Sequence, residues 1–178
     1  KDRAAIERLI EISRKTTQPV IVVSALAGVT DRLLGIANEA AAGDLDAAQK
    51  NIAGLRQRHI GVATVIIDAT LRDEVIATLN RDFDELDRVV SALAVLGDVS
   101  PRWFDTIAAA GELASSKIVA AALTSHGQAA QCVDARTVVV TTDEFGAAAP
   151  LFDRTNAALQ STVGPIVAKG IVPVILIT

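Results

Sequence analysis

A short apolar run, followed directly by a turn of small residues and a helix, is the feature that most constrains this chain. It lies in residues 19–34, PVIVVSALAGVTDRLL. The β-branched residues 20–23 are too few for a helix and apolar throughout, which predicts a central parallel strand buried on both faces. Residues 24–28 predict a turn, and Thr30 and Asp31 are expected to cap and begin the helix. A strand, a turn and a helix in this order are typical of α/β proteins.

The turn after this strand is also the predicted ligand site. In open parallel sheets, ligands bind outside the carboxyl ends of strands, and the free N–H groups of a helix N-terminus favour anions. The expected ligand is therefore an anion. The formal net charge of -4 argues against a general nucleic-acid surface, which needs clustered lysine and arginine, so any anion must be held locally.

Length and composition indicate a single compact domain. The chain has 178 residues, of which 51% are hydrophobic. Its single cysteine, Cys132, excludes an internal disulfide, fits a reducing compartment and is expected in the core. We find no apolar run of the roughly 18 to 20 residues that a membrane span requires, and no signal-peptide pattern, so we expect a cytoplasmic protein. Both ends fall inside predicted elements, which suggests a fragment.

Most of the chain up to its middle has helical periodicity. Apolar spacing predicts a first helix that ends near Lys15, a second that ends at Gly43, and a helical hairpin over residues 44–97 closed by Gly97. We interpret the hairpin as an insertion without chemistry. His59, which lies within it, is expected to be a partly buried structural residue.

The next helix contains the most unusual local sequence. Ser100 and Pro101 predict its N-cap and first position, and we expect it to run to about Leu123. Inside it, the helix-weakening Gly111 precedes the carboxylate of Glu112. Either Glu112 is a solvated helix residue, or Gly111 allows a ligand to approach closely while Glu112 presents its charge to that ligand. The residues alone favour the first interpretation.

The last third of the chain completes the α/β pattern. Residues 129–133 predict a strand, residues 138–142 a strand or a loop, and residues 171–178 another buried strand, while Asp153 is expected to cap a helix kinked at Pro165. This order predicts an α/β fold with a mostly parallel sheet. The P-loop, the dinucleotide-binding glycine motif, zinc-ligand spacing and the nucleophile elbow are absent. The residues alone therefore predict only an anion site on an α/β scaffold.

Five segments, in their order and spacing, resemble aspartate kinase. They are residues 22–37 (VVSALAGVTDRLLGIA), 109–123 (AAGELASSKIVAAAL), 131–136 (QCVDAR), 141–150 (TTDEFGAAAP) and 170–175 (GIVPVI). The resemblance implies an amino-acid-kinase fold, a three-layer α/β sandwich that is incomplete here. Residues 1–178 would form one partial domain with a helical insertion at about 44–97. The insertion is most similar to those of lysine-sensitive aspartate kinases and of aspartate kinases fused to other enzymes.

Aspartate kinases transfer the γ-phosphoryl of MgATP to the side-chain carboxylate of L-aspartate, giving 4-phospho-L-aspartate on the route to lysine, threonine and methionine. The resemblance thus implies ATP, Mg²⁺ and L-aspartate as cofactors and substrate, and a homo-oligomer for the full-length enzyme. It implies that Thr30 hydrogen-bonds the aspartate, in addition to or instead of capping, and that Glu112 pairs with its α-ammonium. Two carboxylates and a triphosphate need backbone and hydroxyl donors, while one ammonium needs one buried acid. The loop beside the transferred phosphoryl would consist of Ser24 and the backbone of Ala25, Leu26, Ala27 and Gly28.

The chain also departs from the family pattern. It lacks the K-F-G-G-T-S segment whose lysine neutralises phosphates, and the later arginine and G-G-S-D segments that bind aspartate and supply the catalytic aspartate. We therefore expect no catalytic residue or metal ligand in this chain, and no meaningful kinase activity from it alone. Asp134, Arg136 and Thr142 are expected to be structural. Two alternatives remain: another amino-acid kinase, acting on glutamate, N-acetylglutamate, carbamate or a nucleoside monophosphate, or a degenerate domain that serves as an interaction module.

Overall fold

The computed structural model describes residues 2–144 and 147–176, which form helices and strands in the predicted α/β order. Positions 177 and 178 of the predicted last strand lie outside the described residues. A turn of 3₁₀ helix at Ala135–Thr137 follows the second strand. The elements are α1 (Arg3–Arg14), β1 (Ile21–Val23), α2 (Val29–Ala41), α3 (Leu45–Ala63), α4 (Ala69–Leu96), α5 (Pro101–Ser125), β2 (Ala130–Val133), α6 (Phe152–Ala168) and β3 (Val172–Leu176).

The three strands form one parallel sheet in the order β1-β3-β2. Ile21 of β1 and Cys132 of β2 both lie opposite Val174, so β3 is the central strand. The prediction that the first strand is central is therefore wrong for the described part of the chain. Val22 is 54% exposed, whereas its neighbours Ile21 and Val23 are buried. A run of β-branched residues indicates a strand, but it does not reveal what covers the strand's second face.

Helices lie on both faces of the sheet, which confirms the three-layer arrangement. On one face, α1 and α5 pack against alternate strand residues that include Ile21 and Val174, with the half-buried Cys132 at the margin of this cluster. On the other face, Val163 and Ile166 of α6 share an apolar cluster with Val133 of β2 and Ile175 of β3. Two separate apolar clusters therefore lie on the two faces of the sheet, as is usual for parallel strands, although the second of them does not reach β1.

The predicted hairpin consists of α3 and α4, which pack with α2 and α5 around a further apolar cluster. The side chain of Asp44 caps α3 by accepting a hydrogen bond from the N–H of Ala47 at 3.1 Å. Asp68 caps α4 in the same way, accepting from the N–H of Leu71 at 2.9 Å. Gly97 ends α4 in the left-handed conformation, at φ +67°. Both helices are thus delimited by local signals.

His59 lies inside this cluster and is fully buried, rather than partly buried as predicted. Its Nδ1 lies 2.7 Å from the carbonyl oxygen of Leu55. Since a carbonyl can only accept, Nδ1 donates the proton. Its Nε2 has no hydrogen-bond partner among the described residues, and its ring centroid lies 5.4 Å from that of Phe83. Burial lowers the pKa of His59, so the neutral form is favoured in the folded protein.

The central helix α5 starts as predicted, with Ser100 as N-cap and Pro101 in the first position, and it continues to Ser125. By length and composition it is apolar enough to cross a membrane, with a mean hydropathy of 1.3 over 18 residues. However, 72% of that window is buried inside the protein, which is the burial of a core helix.

Two predicted helix caps are wrong. Gly28 is the N-cap of α2, with a left-handed backbone at φ +71°, so Thr30 lies inside the first turn. Leu151 is the N-cap of α6, and Asp153 lies in the first turn, where its carboxylate still faces the positive end of the helix dipole. In both cases the path of the preceding loop, rather than the best capping side chain, sets the first helical residue.

Candidate functional site

The loop that follows β1 lies between the apolar core and the solvent. Ala25 and Leu26 are buried, whereas Ala27 and Gly28 are exposed. The backbone N–H groups of these four residues donate no hydrogen bond to any acceptor within residues 2–144 and 147–176. Loop N–H groups that lack an internal acceptor beside a helix N-terminus are suited to bind an anion.

Ser115 of α5 connects this loop to the neighbouring helix. Its Oγ lies 2.9 Å from the carbonyl oxygen of Ser24 and 3.0 Å from that of Glu112. Because a hydroxyl carries one proton, it donates to one of these carbonyls at a time. Ser115 is buried and Ser24 is half-buried. This contact was not anticipated from the sequence, because Ser24 and Ser115 are far apart along the chain.

Thr30 and Glu112 are in contact although 82 positions separate them. The Oγ1 of Thr30 donates a hydrogen bond to Oε1 of Glu112 at 3.4 Å. Glu112 is only 7% exposed, and its Oε2 is buried without a hydrogen-bond partner among the described residues. The interpretation of Glu112 as a solvated helix residue is therefore wrong. A buried carboxylate oxygen without a donor is costly, so this site is suited to bind a cationic donor such as an ammonium group.

Gly111 has a different function from the one considered from the sequence. A Cβ at this position would lie 2.8 Å from Cγ1 of Val29, and 3.2 Å from both Cβ of Ala25 and Cδ1 of Leu33. The space beside Gly111 is thus occupied by α2 and its preceding loop, not by a ligand. The missing side chain lets α5 approach α2 closely, and this approach brings Glu112 to Thr30.

Thr30 and Glu112 lie in the wall of one cavity with a volume of about 580 Å³. This volume is in the range of small-molecule sites. Ser24 and residues 25–28 are not among the residues that line it, so the structure joins only two of the predicted site residues there. The polar lining residues come from α2, α5 and the segment after β2: Thr30, Arg102, Asp105, Thr106, Glu112, Arg136 and Thr141.

Arg136, for which the sequence predicts a structural role, also lines this cavity. Its Nε lies 3.0 and 3.1 Å from the two carboxylate oxygens of Asp134, and its Nη2 lies 2.6 Å from Oδ2. This pairing lowers the pKa of Asp134 and raises that of Arg136, so both groups stay charged at neutral pH. Arg136 follows the carboxyl end of β2, at the same sheet edge as the loop after β1. That position was visible in the sequence and is the signal that could have identified it.

Thr142 has the structural contacts that the sequence predicted. Its Oγ1 accepts a hydrogen bond from the N–H of Ala149 at 3.0 Å, and its own N–H donates to the carbonyl of Ala149 at 3.0 Å. The adjacent Thr141 forms an isolated antiparallel bridge with Pro150. Of the two predictions for residues 138–142, the loop is therefore the correct one.

The charged donors that line the cavity suit an anion. Among the residues that the structure describes, no group of three or more His, Cys, Asp or Glu side chains could hold a metal. The guanidinium groups of Arg102 and Arg136, which line the cavity, are matched to carboxylate or phosphate oxygens. Together with Oε2 of Glu112, which has no donor among the described residues, they favour a small molecule that carries both an anionic and a cationic group.

The fold and this site define a class of protein. The chain belongs to the amino acid kinase family, whose model matches residues 1–176. Its curated relatives include the bifunctional aspartokinase/homoserine dehydrogenase 1, chloroplastic, of Arabidopsis thaliana, at 29% identity over 140 residues. The aspartokinase of Candida albicans is 25% identical over 146 residues. Each of the two alignments covers 79% of this chain, but only 15% and 26% of the respective relatives, so the matched part is about a quarter of their length or less.

Solved structures of E. coli aspartokinase III have the same fold. The complex with lysine and aspartate, in the T-state, aligns with a TM-score of 0.87 and 22% identity over 98% of this chain and 38% of that one. The complex with aspartate and ADP, in the R-state, aligns with a TM-score of 0.85 and 22% identity. At this identity the likeness establishes the fold alone.

Proposed function

We propose that this chain forms the aspartate-binding part of an aspartate kinase, an enzyme that transfers the γ-phosphoryl of ATP to the side-chain carboxylate of L-aspartate. The observation that carries the proposal is the buried carboxylate of Glu112, which lines the cavity together with Thr30. Its Oε2 has no donor among the described residues. The names of the relatives support it, since those from A. thaliana and C. albicans are aspartokinases. One E. coli aspartokinase III structure contains aspartate and ADP.

Glu112 binds the α-ammonium of aspartate. Thr30 orients the carboxylate by donating to Oε1, which leaves Oε2 for the ammonium. A hydrogen bond between charged groups contributes about 1.5 to 3 kcal/mol, and here it also removes the penalty of a buried oxygen for which residues 2–144 and 147–176 offer no donor. Aspartate is thereby held by its amino group, and its side chain is left to react.

In the transfer, an oxygen of the aspartate side chain forms a bond to the γ-phosphorus, the bond from that phosphorus to the β–γ bridging oxygen breaks, and ADP leaves. ATP supplies the phosphoryl group when bound. The loop at residues 25–28 offers its N–H groups to phosphoryl oxygens, where they offset the negative charge. The family resemblance implies Mg²⁺ together with ATP, but we assign no residue to it, because the described part of the chain offers no cluster of metal ligands.

The test is aspartate-dependent ADP formation by the complete natural protein that contains this chain. Glu112→Gln keeps the shape and the hydrogen bond from Thr30 but removes the charge. We expect the KM for aspartate to rise about 10- to 150-fold, which corresponds to about 1.5 to 3 kcal/mol, with an unchanged KM for ATP. Glu74→Gln, which changes an exposed carboxylate on α4, is the matched control and should leave both constants unchanged.

The outcomes separate the alternatives. Activity with another amino acid, carbamate or a nucleoside monophosphate, but not with aspartate, would assign the chain to a different amino-acid kinase. Absence of all these activities and of aspartate binding would favour the interaction module. An unchanged KM for aspartate in Glu112→Gln would refute the assignment of the ammonium site.

A further inference from the structure

The cavity that contains Glu112 has charged side chains of both signs. Arg102 and Arg136 line it together with Asp105 and Glu112. An ammonium group needs only Oε2 of Glu112, which has no donor among the described residues, so the arginines are not required by a simple amine. Guanidinium groups bind carboxylates and phosphates. The cavity is thus matched to a ligand in which an anionic group lies close to the cationic one.

Of the two arginines, Arg136 has the guanidinium group that is already held in place for binding an anion. Three contacts from its Nε and Nη2 to the carboxylate of Asp134 fix the guanidinium plane. Asp134 is fixed in turn, because its Oδ1 also accepts the backbone N–H of Arg136 at 3.0 Å. The remaining nitrogen, Nη1, makes no hydrogen bond to any other described residue, and the side chain is half exposed. A donor held in place by its neighbour loses little conformational entropy when it binds a ligand.

The position of Arg136 in the fold also favours this residue over Arg102 as the one that binds the anionic group of the ligand. It follows the carboxyl end of β2, and the loop that leads to Thr30 follows the carboxyl end of β1, at the same edge of the parallel sheet. Arg102, by contrast, lies in the first turn of α5. Ten residues separate it from Glu112, which is about 15 Å along the helix axis.

We propose that Arg136, braced by Asp134, binds a carboxylate of the amino-acid substrate whose ammonium group is bound by Glu112. The inference rests on the proposed function and deepens it by naming a further substrate-binding residue. A phosphate is the less suitable occupant, because it brings no cationic donor to Oε2 of Glu112, which has none among the described residues. An amino acid brings its own ammonium to Glu112 and therefore satisfies both charges of the site.

The experiment is calorimetric titration of the complete natural protein with L-aspartate and with L-asparagine, for the wild type and for Arg136→Gln. We expect Arg136→Gln to weaken aspartate binding in the titration at least about tenfold. In the assay of ADP formation, its KM for ATP should be unchanged. Arg136→Lys retains the charge but not the planar fork and should restore part of the affinity. Arg154→Gln, which changes an exposed arginine on α6, is the matched control and should bind aspartate like the wild type.

L-Asparagine identifies the carboxylate. If Arg136→Gln weakens asparagine and aspartate equally, Arg136 binds the α-carboxylate; if it weakens only aspartate, Arg136 binds the side-chain carboxylate. Unchanged aspartate affinity, or a raised KM for ATP in place of weaker aspartate binding, would overturn the proposal. Should Arg136→Gln fail to fold in a thermal melt, the comparison of Arg136→Lys with the wild type decides in the same way.

Failure of this inference and failure of the proposed function give different results. A wild type that binds aspartate without forming ADP would refute the kinase proposal, while calorimetry would still decide on Arg136. ADP formation with an Arg136→Gln variant of normal aspartate affinity would refute only the inference. A wild type that neither binds aspartate nor forms ADP would refute both.

Discussion

Replacement of Gly111 by alanine tests whether the close approach of α5 to α2 builds the site. The added Cβ would lie 2.8 Å from Cγ1 of Val29, which is closer than real Cβ atoms come to other atoms. Val29 is fully buried and β-branched, so its side chain has little freedom to rotate away. Ala25, at 3.2 Å, can move only with its backbone. The two elements must therefore separate or deform.

Helix propensity and overpacking have opposite effects on the free energy of unfolding of Gly111→Ala. Alanine is favoured over glycine in a helix by about 1 kcal/mol, whereas overpacking of a core costs about 1 to 3 kcal/mol. We therefore expect Gly111→Ala to lower the free energy of unfolding by up to about 2 kcal/mol. At Gly54, inside the exposed face of α3, an added Cβ meets no atom within 4 Å. Gly54→Ala should thus show only the helix-propensity gain and raise the free energy of unfolding.

The assay is urea denaturation of the two variants and the wild type. The difference between Gly54→Ala and Gly111→Ala isolates the packing contribution, which we expect to be about 1 to 3 kcal/mol. In a chain of this size, each kcal/mol corresponds to about 2 to 4 °C in Tm, so thermal melts can check the order. If Gly111→Ala stabilises the protein as much as Gly54→Ala does, α5 does not approach Val29 of α2 as closely as the structure indicates.

Two further predictions concern buried polar groups. Burial lowers the pKa of His59 in the folded state, so the unfolded chain takes up the proton more readily and the free energy of unfolding should fall as pH drops below about 6.5. His59→Leu should weaken this pH dependence in urea denaturation between about pH 5 and pH 7.5, and identical slopes would contradict the assignment. Ser115→Ala removes the hydroxyl that bonds the carbonyl of Ser24 or Glu112, and should lower the free energy of unfolding by about 1 kcal/mol. Ser161→Ala, which removes a similar hydrogen bond on the exposed face of α6, should lower the free energy of unfolding less. An equal decrease in the two variants would show that the hydrogen bond from Ser115 to Ser24 contributes no more stability than an exposed one.

The hairpin shows how much of this fold could be predicted from sequence. Asp44, Asp68 and Gly97 act on backbone groups within four residues of themselves, so the bounds of α3 and α4 follow from the local sequence. The caps of α2 and α6 were wrong because the preceding loop decides them. At Gly28, the left-handed backbone begins the helix before Thr30 is reached, which leaves the threonine hydroxyl for Glu112.

In the candidate site, too, some features follow from the local sequence and others depend on contacts between distant residues. The resemblance indicated Thr30 and Glu112, but the sequence could not show that Glu112 is buried, with one oxygen that has no donor in the described part of the chain. Nor could the sequence show that the space beside Gly111 is occupied by α2 and its preceding loop rather than by a ligand. The sequence predicts a structural role for Arg136, and its pairing with Asp134 two residues away is local, whereas its place in the cavity depends on the sheet.

The sequence by itself determined the succession of helices and strands, because periodicity, capping residues and glycines act over a few residues of chain. It also determined the family, because five separated segments resemble it in order. Only the tertiary structure decided that β3 rather than β1 is the central strand, that Gly111 faces Val29, and that Thr30, Glu112 and Arg136 line one cavity. These features depend on contacts between residues far apart in sequence, and such contacts exist only once the helices have packed on the sheet.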